Sequence, residues 1–476
     1  MRNILFLLFL FAFSLSTNAQ RMPASKQAII NSVEKHKTDL IDLSDQIWAL
    51  AETAFEETES AELLAAYAEQ QGFSVERAVA DIPTAFIASY GSGKPIIGIL
   101  GEFDALPGLS QQIVAKKAPL KMGQAGHGCG HNLFGAGSLG AAIAVKEWME
   151  ANEIEGTIRF YGTPAEEKYF GKLYMGRAGL FDDLDVCLDW HPGAQTRANV
   201  QSSQALVDFI VEFEGQAAHA AMDPWNGRSA LDGLEFFTMG LNYLREHVKP
   251  TVRIHYQIQH GGDVVNVVPD YARVWTRVRD AKRVEMDLVY ERAKEIARGA
   301  AIMANVDYKI TLVSGLHELV VNRTGAAALQ KNLELLGTMN YTEEELTFAK
   351  GIQAATGKSL TGIDASISPL ERTREYPNGG SSDVGDVSWQ VPQISLSVTT
   401  APVGTPWHSW AVVACGGMSI GHKGLVYASK ALAMTAVDLF EQPQLLADVQ
   451  AEFKTRRGDT KYEPILPEGP APIPNK

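Results

Sequence analysis

Cysteine is scarce in this chain. Cys129, Cys187 and Cys415 are the three present among 476 residues. So small and odd a number excludes a disulfide framework as the source of stability. Cys187 and Cys415 lie in apolar runs and read as small buried residues, with a single bond between them left open. Positive charge is also short. Lys and Arg number 42 against 56 Asp and Glu, a formal net charge of −14. That balance argues against nucleic acid or an anionic membrane surface as partner. It leaves room for an anionic small substrate, because the charge inside a cleft can oppose the sign of the whole. Long apolar runs are confined to the first residues. Ile4 to Leu15 is almost wholly apolar behind Arg2, and Thr17-Asn18-Ala19 sets small residues before Gln20. Residues 1–19 therefore read as a signal peptide, and the protein as exported, periplasmic or secreted. The run is shorter than the ~20 residues of a spanning helix. No cysteine follows the expected cut, and no later segment reads as a membrane span.

What the chain does have is alternation of strand, loop and helix. Apolar spacing predicts helical structure between Ser32 and Gly72 and a small-residue helix from His131 to about Met149. Pro95–Leu100, Gly156–Gly162 and Leu184–Trp190 read as buried strands. Residues 20–200 thus form the first part of an α/β domain. Over 201–315 the order becomes β-α-β-β-α-β, the split βαβ pattern of ferredoxin-like domains. The α/β pattern resumes over 316–476, with helices at Thr324–Leu336, Thr342–Thr356 and Gly424–Phe440 and a strand at Gln393–Val398. A proline-containing tail from Glu463 is expected to lie extended over the surface. The middle segment reads as an inserted lid or association domain.

Polar groups recur just beyond the predicted strand ends, where open α/β sheets place ligands. Glu102-Phe103-Asp104 follows one strand. Gly126-His127-Gly128-Cys129-Gly130-His131-Asn132 forms a glycine-rich loop before the small-residue helix. Glu166-Glu167, His191 and His408 follow three further strands. Thiolate and imidazole suit a transition metal of the zinc type, and the start of the following helix is expected to lower the thiol pKa of Cys129. Adjacent Glu166 and Glu167 can point in different directions, so that one binds metal while the other handles protons. Arg273, Arg277 and Arg279 share one strand face with Trp275, and Arg253 and His255 alternate alike on the partner strand. Pairing of these charges with Asp208 and Glu212 is the competing reading. His36, between two lysines, reads as solvated. His247, His260, His317 and His422 read as surface or capping groups, and His127 is set apart only because it borders the metal loop.

Taken together, these residues resemble the metallo-aminoacylase and carboxypeptidase family, in its hippurate hydrolase-like branch and the aminobenzoyl-glutamate hydrolase B-subunit group. The motifs are 126–132, Thr-Pro-Ala-Glu-Glu (163–167), Trp-His-Pro-Gly (190–193), Ala-Ala-His-Ala-Ala (217–221) with Pro224, Gly-Gly-Asp-Val-Val-Asn-Val-Val-Pro (261–269), Ser-Ser-Asp-Val-Gly-Asp-Val-Ser (381–388) and Thr-Pro-Trp-His-Ser (405–409). The resemblance implies a mixed-sheet, metallopeptidase-like α/β catalytic domain with an inserted α+β ferredoxin-like lid and dimerisation domain. It implies two divalent transition-metal ions, manganese or zinc, held by Cys129, His131, Glu167, His191 and His408. It implies Glu166 as general base and acid, and Asp104 as the acid that orients a metal-binding histidine. His219 stands where a lid histidine stabilises the oxyanion in a neighbouring subunit's site, Asn266 where a lid asparagine contacts substrate, and Arg279 where an arginine binds its carboxylate. The implied activity is cleavage of an N-acyl amino acid, an N-aroyl glutamate such as p-aminobenzoyl-glutamate, by a homodimer or a heterodimer with a related subunit. A dipeptidase, an aryl- or indolyl-acyl amino acid hydrolase, and a non-catalytic periplasmic binding protein on the same scaffold are the alternatives. Two positions depart from the pattern. Many relatives have His where Glu102 stands, so Glu102 is either an extra ligand or structural. Hippurate hydrolase-like relatives usually have Asp at Asn132.

Overall fold

The computed structural model describes residues 22–372, 377 and 379–474. The expected signal peptide over 1–19 lies outside the described residues. The periodicity over 32–72 resolves into two helices, α1 (Ala24–Leu50) and α2 (Thr58–Gln70). They part at Ala51, which turns left-handed at φ 46° while its N–H still bonds Ile47 O. β1 (Ser74–Arg77) and β2 (Phe86–Ser92) follow, then β3 (Ile96–Gly101), α3 (His131–Asn152), β4 (Gly156–Gly162), α4 (Gly171–Arg177), β5 (Val186–Gly193) and β6 (Arg197–Ala198). β5 runs further than expected, so His191 sits within its paired length, opposite Ser397.

The insert comprises β7 (Ala205–Glu214), α5 (Ala230–Leu244), β8 (Arg253–His260), β9 (Tyr271–Asp280), α6 (Arg283–Ala304) and β10 (Asp307–Leu316). The chain then completes the body with α7 (Arg323–Leu336), α8 (Glu343–Ala355), α9 (Val384–Ser388), β11 (Gln393–Thr399), α10 (Trp410–Gly416), α11 (Ser419–Glu441) and α12 (Pro443–Arg457).

Two sheets result. The body sheet is seven-stranded in the order β1-β2-β4-β3-β5-β11-β6. Its centre, β4-β3-β5-β11, is parallel, and both flanks are antiparallel. The insert sheet is antiparallel in the order β10-β7-β9-β8, the ferredoxin-like arrangement, and carries its own core of residues such as Phe209, Phe213, Phe237 and Met286. The fold is thus a mixed α/β catalytic domain with an inserted α+β domain.

In the body, α1, α3 and α11 pack together over one face of the sheet, and α4 and α9 lie with residues of the other. The small residues of α3 make this possible. A Cβ on Gly135 would stand 2.8 Å from Glu102 O, so glycine lets the helix press against the end of β3. That contact brings the start of α3 to the strand ends. The tail beyond Glu463 lacks regular structure, as expected, but it is tied down. Gly315 N–H donates to Ile465 O at 2.8 Å, Arg177 donates to Gly469 O at 2.6 Å, and Ala471 is buried.

Candidate metal centre and active site

The parallel strands end side by side, and their following loops converge. β3 leads into Glu102 and Asp104, β4 into Glu166 and Glu167, β5 ends with His191, and the loop after β11 supplies His408. Cys129 and His131 arrive from the loop that opens α3. Gly130, at φ 82°, is the left-handed residue that turns this loop into the helix. His408 itself sits at φ 56°, and its N–H bonds Gly128 O at 3.0 Å, which ties the two ligand loops together. Ala165 is likewise left-handed at φ 62° and buried. Such conformations at non-glycine residues are costly and recur where a site over-determines them.

Three groups of potential ligand atoms lie within 4.8 Å of one another: Cys129 with His131 and His191, Cys129 with Glu167 and His408, and Glu102 with His131 and Glu166. Cys129 Sγ is 3.4 Å from His191 Nε2, and His408 Nε2 is 3.4 Å from Glu167 Oε2. Asp104 is buried and bonds His131 Nδ1 at 2.8 Å through one oxygen, while the other accepts the Glu167 N–H at 2.8 Å. That bond fixes the imidazole with Nε2 turned inward. His131 Nε2 and Glu167 Oε1 are buried and make no aligned hydrogen bond. Orphaned soft and hard donors of this kind fit divalent metal ions.

The charges give the same fit. Burial pushes the carboxyl of Glu166 well above the ordinary range, and Glu102, Glu167 and Asp383 push it further. Glu167 is raised to about 7, chiefly by burial, against the opposing pull of His131. Cys129 differs from the expectation. Its thiol is pushed up, not down, because desolvation outweighs the opposing pull of His131. The helix start alone does not make a thiolate here. A bound cation would supply what the helix does not.

Several contributors were not legible beforehand. Lys172, on α4, is fully buried, and its Nζ lies 2.7 Å from both Glu102 Oε1 and Asp383 Oδ1. Burial works against its charge, but the Asp383 and Glu102 carboxylates outweigh that and hold it charged. Glu102 is therefore clamped at one oxygen, while the other faces His131 Nε2 at 3.0 Å. Glu57 is buried and accepts the N–H of strained Ala165 at 2.9 Å, which steadies the loop that carries Glu166. Asn132 donates to Ser44 Oγ at 3.0 Å and to Gly416 O at 3.3 Å. An aspartate has no N–H to offer either acceptor, a local reason for asparagine at this position.

The insert residues stand apart. His219 and Asn266 are exposed on adjacent loops, joined by a bridge of His219 to Val267 and by Ala220 N–H donating to Asn266 O at 3.0 Å. His219 Nδ1 accepts from the N–H of Ala221 and of Met222, each at 3.2 Å, so the neutral ring carries its proton on Nε2. Among the described residues no hydrogen bond or ion pair joins His219, Asn266 or Arg279 to the metal-ligand cluster. Arg277 pairs with Asp208 at 2.7 and 2.5 Å and Arg273 with Glu212 at 3.0 Å, as the competing reading had it. Arg279 pairs with neither, and its buried Nε has no partner.

Other expectations change. All three cysteines are buried and free, so Cys187 and Cys415 form no disulfide. His36 is buried rather than solvated, and bonds Glu147 at 2.9 Å. His317 is buried between Asp386 at 2.8 Å and Arg283 at 3.0 Å, where the insert rejoins the body. His127 is buried and bonds Ile47 O at 3.0 Å. In each case the partner comes from a distant element.

The model of peptidase family M20/M25/M40 matches residues 98–399, which take in the insert and every donor of the centre but His408. The p-aminobenzoyl-glutamate hydrolase B-subunit of Escherichia coli K12 is 40% identical, over 94% of this chain and 98% of its own. The chain belongs to peptidase family M20/M25/M40. It is a hydrolase of amide bonds, not a non-catalytic binding protein on that scaffold. Another relative, the Xaa-Arg dipeptidase of Mus musculus, is 28% identical over 93% of this chain and 95% of its own. A dinuclear metal-binding peptidase of the M20 family from Bacillus subtilis shares the fold, with a TM-score of 0.57 at 19% identity over 86% of this chain and 99% of that one. No helix among the described residues is long and apolar enough to cross a membrane.

Proposed function

We propose that this M20-family hydrolase cleaves the amide bond of an N-acyl amino acid, with an N-aroyl glutamate such as p-aminobenzoyl-glutamate as its substrate. The observation that carries the reading is the convergence of Cys129, His131, Glu167, His191 and His408 beside a half-buried second carboxylate, Glu166. The Escherichia coli relative, whose name states that substrate, supports the acyl and amino-acid parts. The five donors would hold two divalent ions, manganese or zinc. When bound, the ions supply Lewis acidity and acidify a water.

The chain's own groups divide the remaining work. Glu166 takes the proton of the attacking water at its carboxylate and returns it to the leaving nitrogen. Asp104 holds His131 by Nδ1 and so keeps Nε2 directed at the centre. His219, with its proton on Nε2, is the donor to the developing oxyanion, and Asn266 and Arg279 bind the substrate. His219 then reaches a centre on a neighbouring subunit, in a homodimer or in a heterodimer with a related chain. The Escherichia coli relative is by name one of two kinds of subunit of its hydrolase, which supports the second arrangement. The first 19 residues direct the protein out of the cytoplasm. A dipeptidase is the second reading, favoured by the name of the mouse relative.

The purified, metal-loaded protein is expected to release p-aminobenzoate from p-aminobenzoyl-glutamate, to lose that activity in chelator, and to regain it with manganese or zinc. Elemental analysis then names the metal. Activity that survives complete removal of metal would overturn the reading.

A further inference from the structure

The charges on the insert sheet are arranged against their own stability. Arg253 on β8 stands directly opposite Arg279 on β9, and His255, whose pKa is lowered by burial and by Arg279, Arg245, Arg277 and Arg253 around it, stands opposite Arg277 as a neutral donor. Like charges at directly opposed positions, with Cβ atoms about 4.5–5.5 Å apart, are destabilising. In a chain of net charge −14 there is no shortage of acids to relieve them. Yet the one carboxylate on this part of the face, Asp208, is taken up in two hydrogen bonds by Arg277. Among the described residues no carboxylate lies within ion-pair distance of Arg253, His255 or Arg279. One Arg253 nitrogen is spent on the carbonyls of Pro250 and Val252, and the buried Nε of Arg279 has no partner. Arg245 adds a further positive charge from the end of α5, anchored on Ile254 O at 2.7 Å.

The face that carries these charges meets the body at its Leu206 end. Leu206, paired with Arg279 across β7 and β9, shares its face and packs with Phe170 and Leu173. Those two residues flank Lys172, on the segment that follows Glu167. Arg253 and Arg279, with the neutral His255 beside them, thus crowd the end of the insert sheet that abuts the catalytic body.

We propose that Arg253 and His255, beside Arg279, form a second carboxylate subsite that selects N-acyl derivatives of acidic amino acids over neutral ones. The inference rests on the amidohydrolase reading and deepens it. Arg279 takes one carboxylate of the amino-acid half, and Arg253 with His255 takes the other. A single carboxylate would leave the opposed cations only partly neutralised, whereas a dicarboxylate answers both.

The test compares the metal-loaded wild type with Arg253→Gln, His255→Gln and Arg273→Gln on p-aminobenzoyl-glutamate and p-aminobenzoyl-alanine. A hydrogen bond to a charged group contributes about 1.5–3 kcal/mol, so the preference for the glutamate substrate, as a ratio of kcat/KM, should fall about tenfold or more in Arg253→Gln. The loss should lie mainly in KM, and His255→Gln should show a smaller fall in the same direction. Arg273→Gln, at the far end of the face and paired with Glu212, should keep the wild-type preference. An unchanged preference in Arg253→Gln and His255→Gln overturns the subsite. So does a changed oligomeric state with the preference retained, since the cations would then serve a subunit contact. If the wild type cleaves neither compound, the substrate reading has failed, and calorimetry with free L-glutamate and L-alanine decides the subsite alone. Glutamate preference lost in Arg253→Gln supports it, and equal binding of the two amino acids to the wild type overturns it.

Discussion

The metal-ligand cluster in the body and the polar loops of the insert are built in opposite ways. Asp104, Cys129 and His131 are buried where the strand ends meet the start of α3, with Asp104 bonded to His131 and to the Glu167 N–H, and only His408 of the cluster is exposed. His219 and Asn266 are exposed, on loops that touch little but each other. The contrast follows from what each must do. Donors for a small cation must be desolvated and fixed before it arrives, because their mutual repulsion has to be borne by the fold. Under the proposed function His219 and Asn266 meet only the substrate, and such groups gain nothing from burial in the chain that carries them. Their freedom is limited instead by local bonds, such as the two N–H groups that fix the tautomer of His219.

Five substitutions, in four experiments, press on this difference. The largest effect is expected for Glu166→Gln, which should cut turnover by about 10²–10⁴-fold with metal content near that of the wild type. Kinetics on p-aminobenzoyl-glutamate and elemental analysis on one preparation check it, and near-normal turnover removes Glu166 from its role. Lys172→Met comes next. Removing one partner of a buried ion pair costs about 3–5 kcal/mol, so the variant should melt well below the wild type. Combining it with Glu102→Gln should be less damaging than the sum of the two, since the pair is in contact. Additive losses would mean that the clamp on Glu102 is not a working unit of the body.

His219→Ala should lose about 2.7–4 kcal/mol of transition-state stabilisation, the cost of one oxyanion donor, and keep its metal and its melting temperature. Mixed with Glu166→Gln under conditions in which subunits exchange, it should recover part of the activity, because one site of the mixed dimer would hold both residues. Exchange without recovery assigns His219 to its own chain and breaks the comparison. The smallest effect lies at the far end of α3. Burial works against charge on Glu147, but bonds from His36, Lys35 and Ser32 hold its carboxyl down to about 2. A depressed acid contributes stability above its unfolded value of about 4.3, and loses it as the pH falls toward 2. Denaturant melts from pH 5 to pH 2 should therefore show the advantage of wild type over Glu147→Gln shrinking as acid is added, with metal affinity at neutral pH unchanged.

Much of the body was open to reading because its signals are local. The Cys-Gly-His loop, the paired Glu166 and Glu167, and the histidines after strands lie within short motifs, and strand periodicity sets them at one edge of a sheet. Lys172 could not be found that way. It follows Glu102 by 70 residues and precedes Asp383 by 211, and nothing near it in sequence marks it as buried. Glu57 and Ala165 are 108 residues apart. The misread His36 was judged by its charged neighbours, whereas the helix turns it inward toward Glu147. The state of Cys129 was judged from the start of α3, a local feature, whereas desolvation by the assembled body pushes its thiol up.

Local order, alternating apolar spacing and the residue types after each strand are encoded within a few positions, so the sequence by itself determined the α/β body, the β-α-β-β-α-β insert and the identity of the convergent donors. Which oxygen of Glu102 Lys172 clamps, which arginines of the insert are neutralised and which way His131 presents its nitrogens depend on partners brought together only by the packing of α3, α4 and the two sheets. Those facts are set by burial and by distances between segments far apart in the chain, and only the tertiary structure decided them.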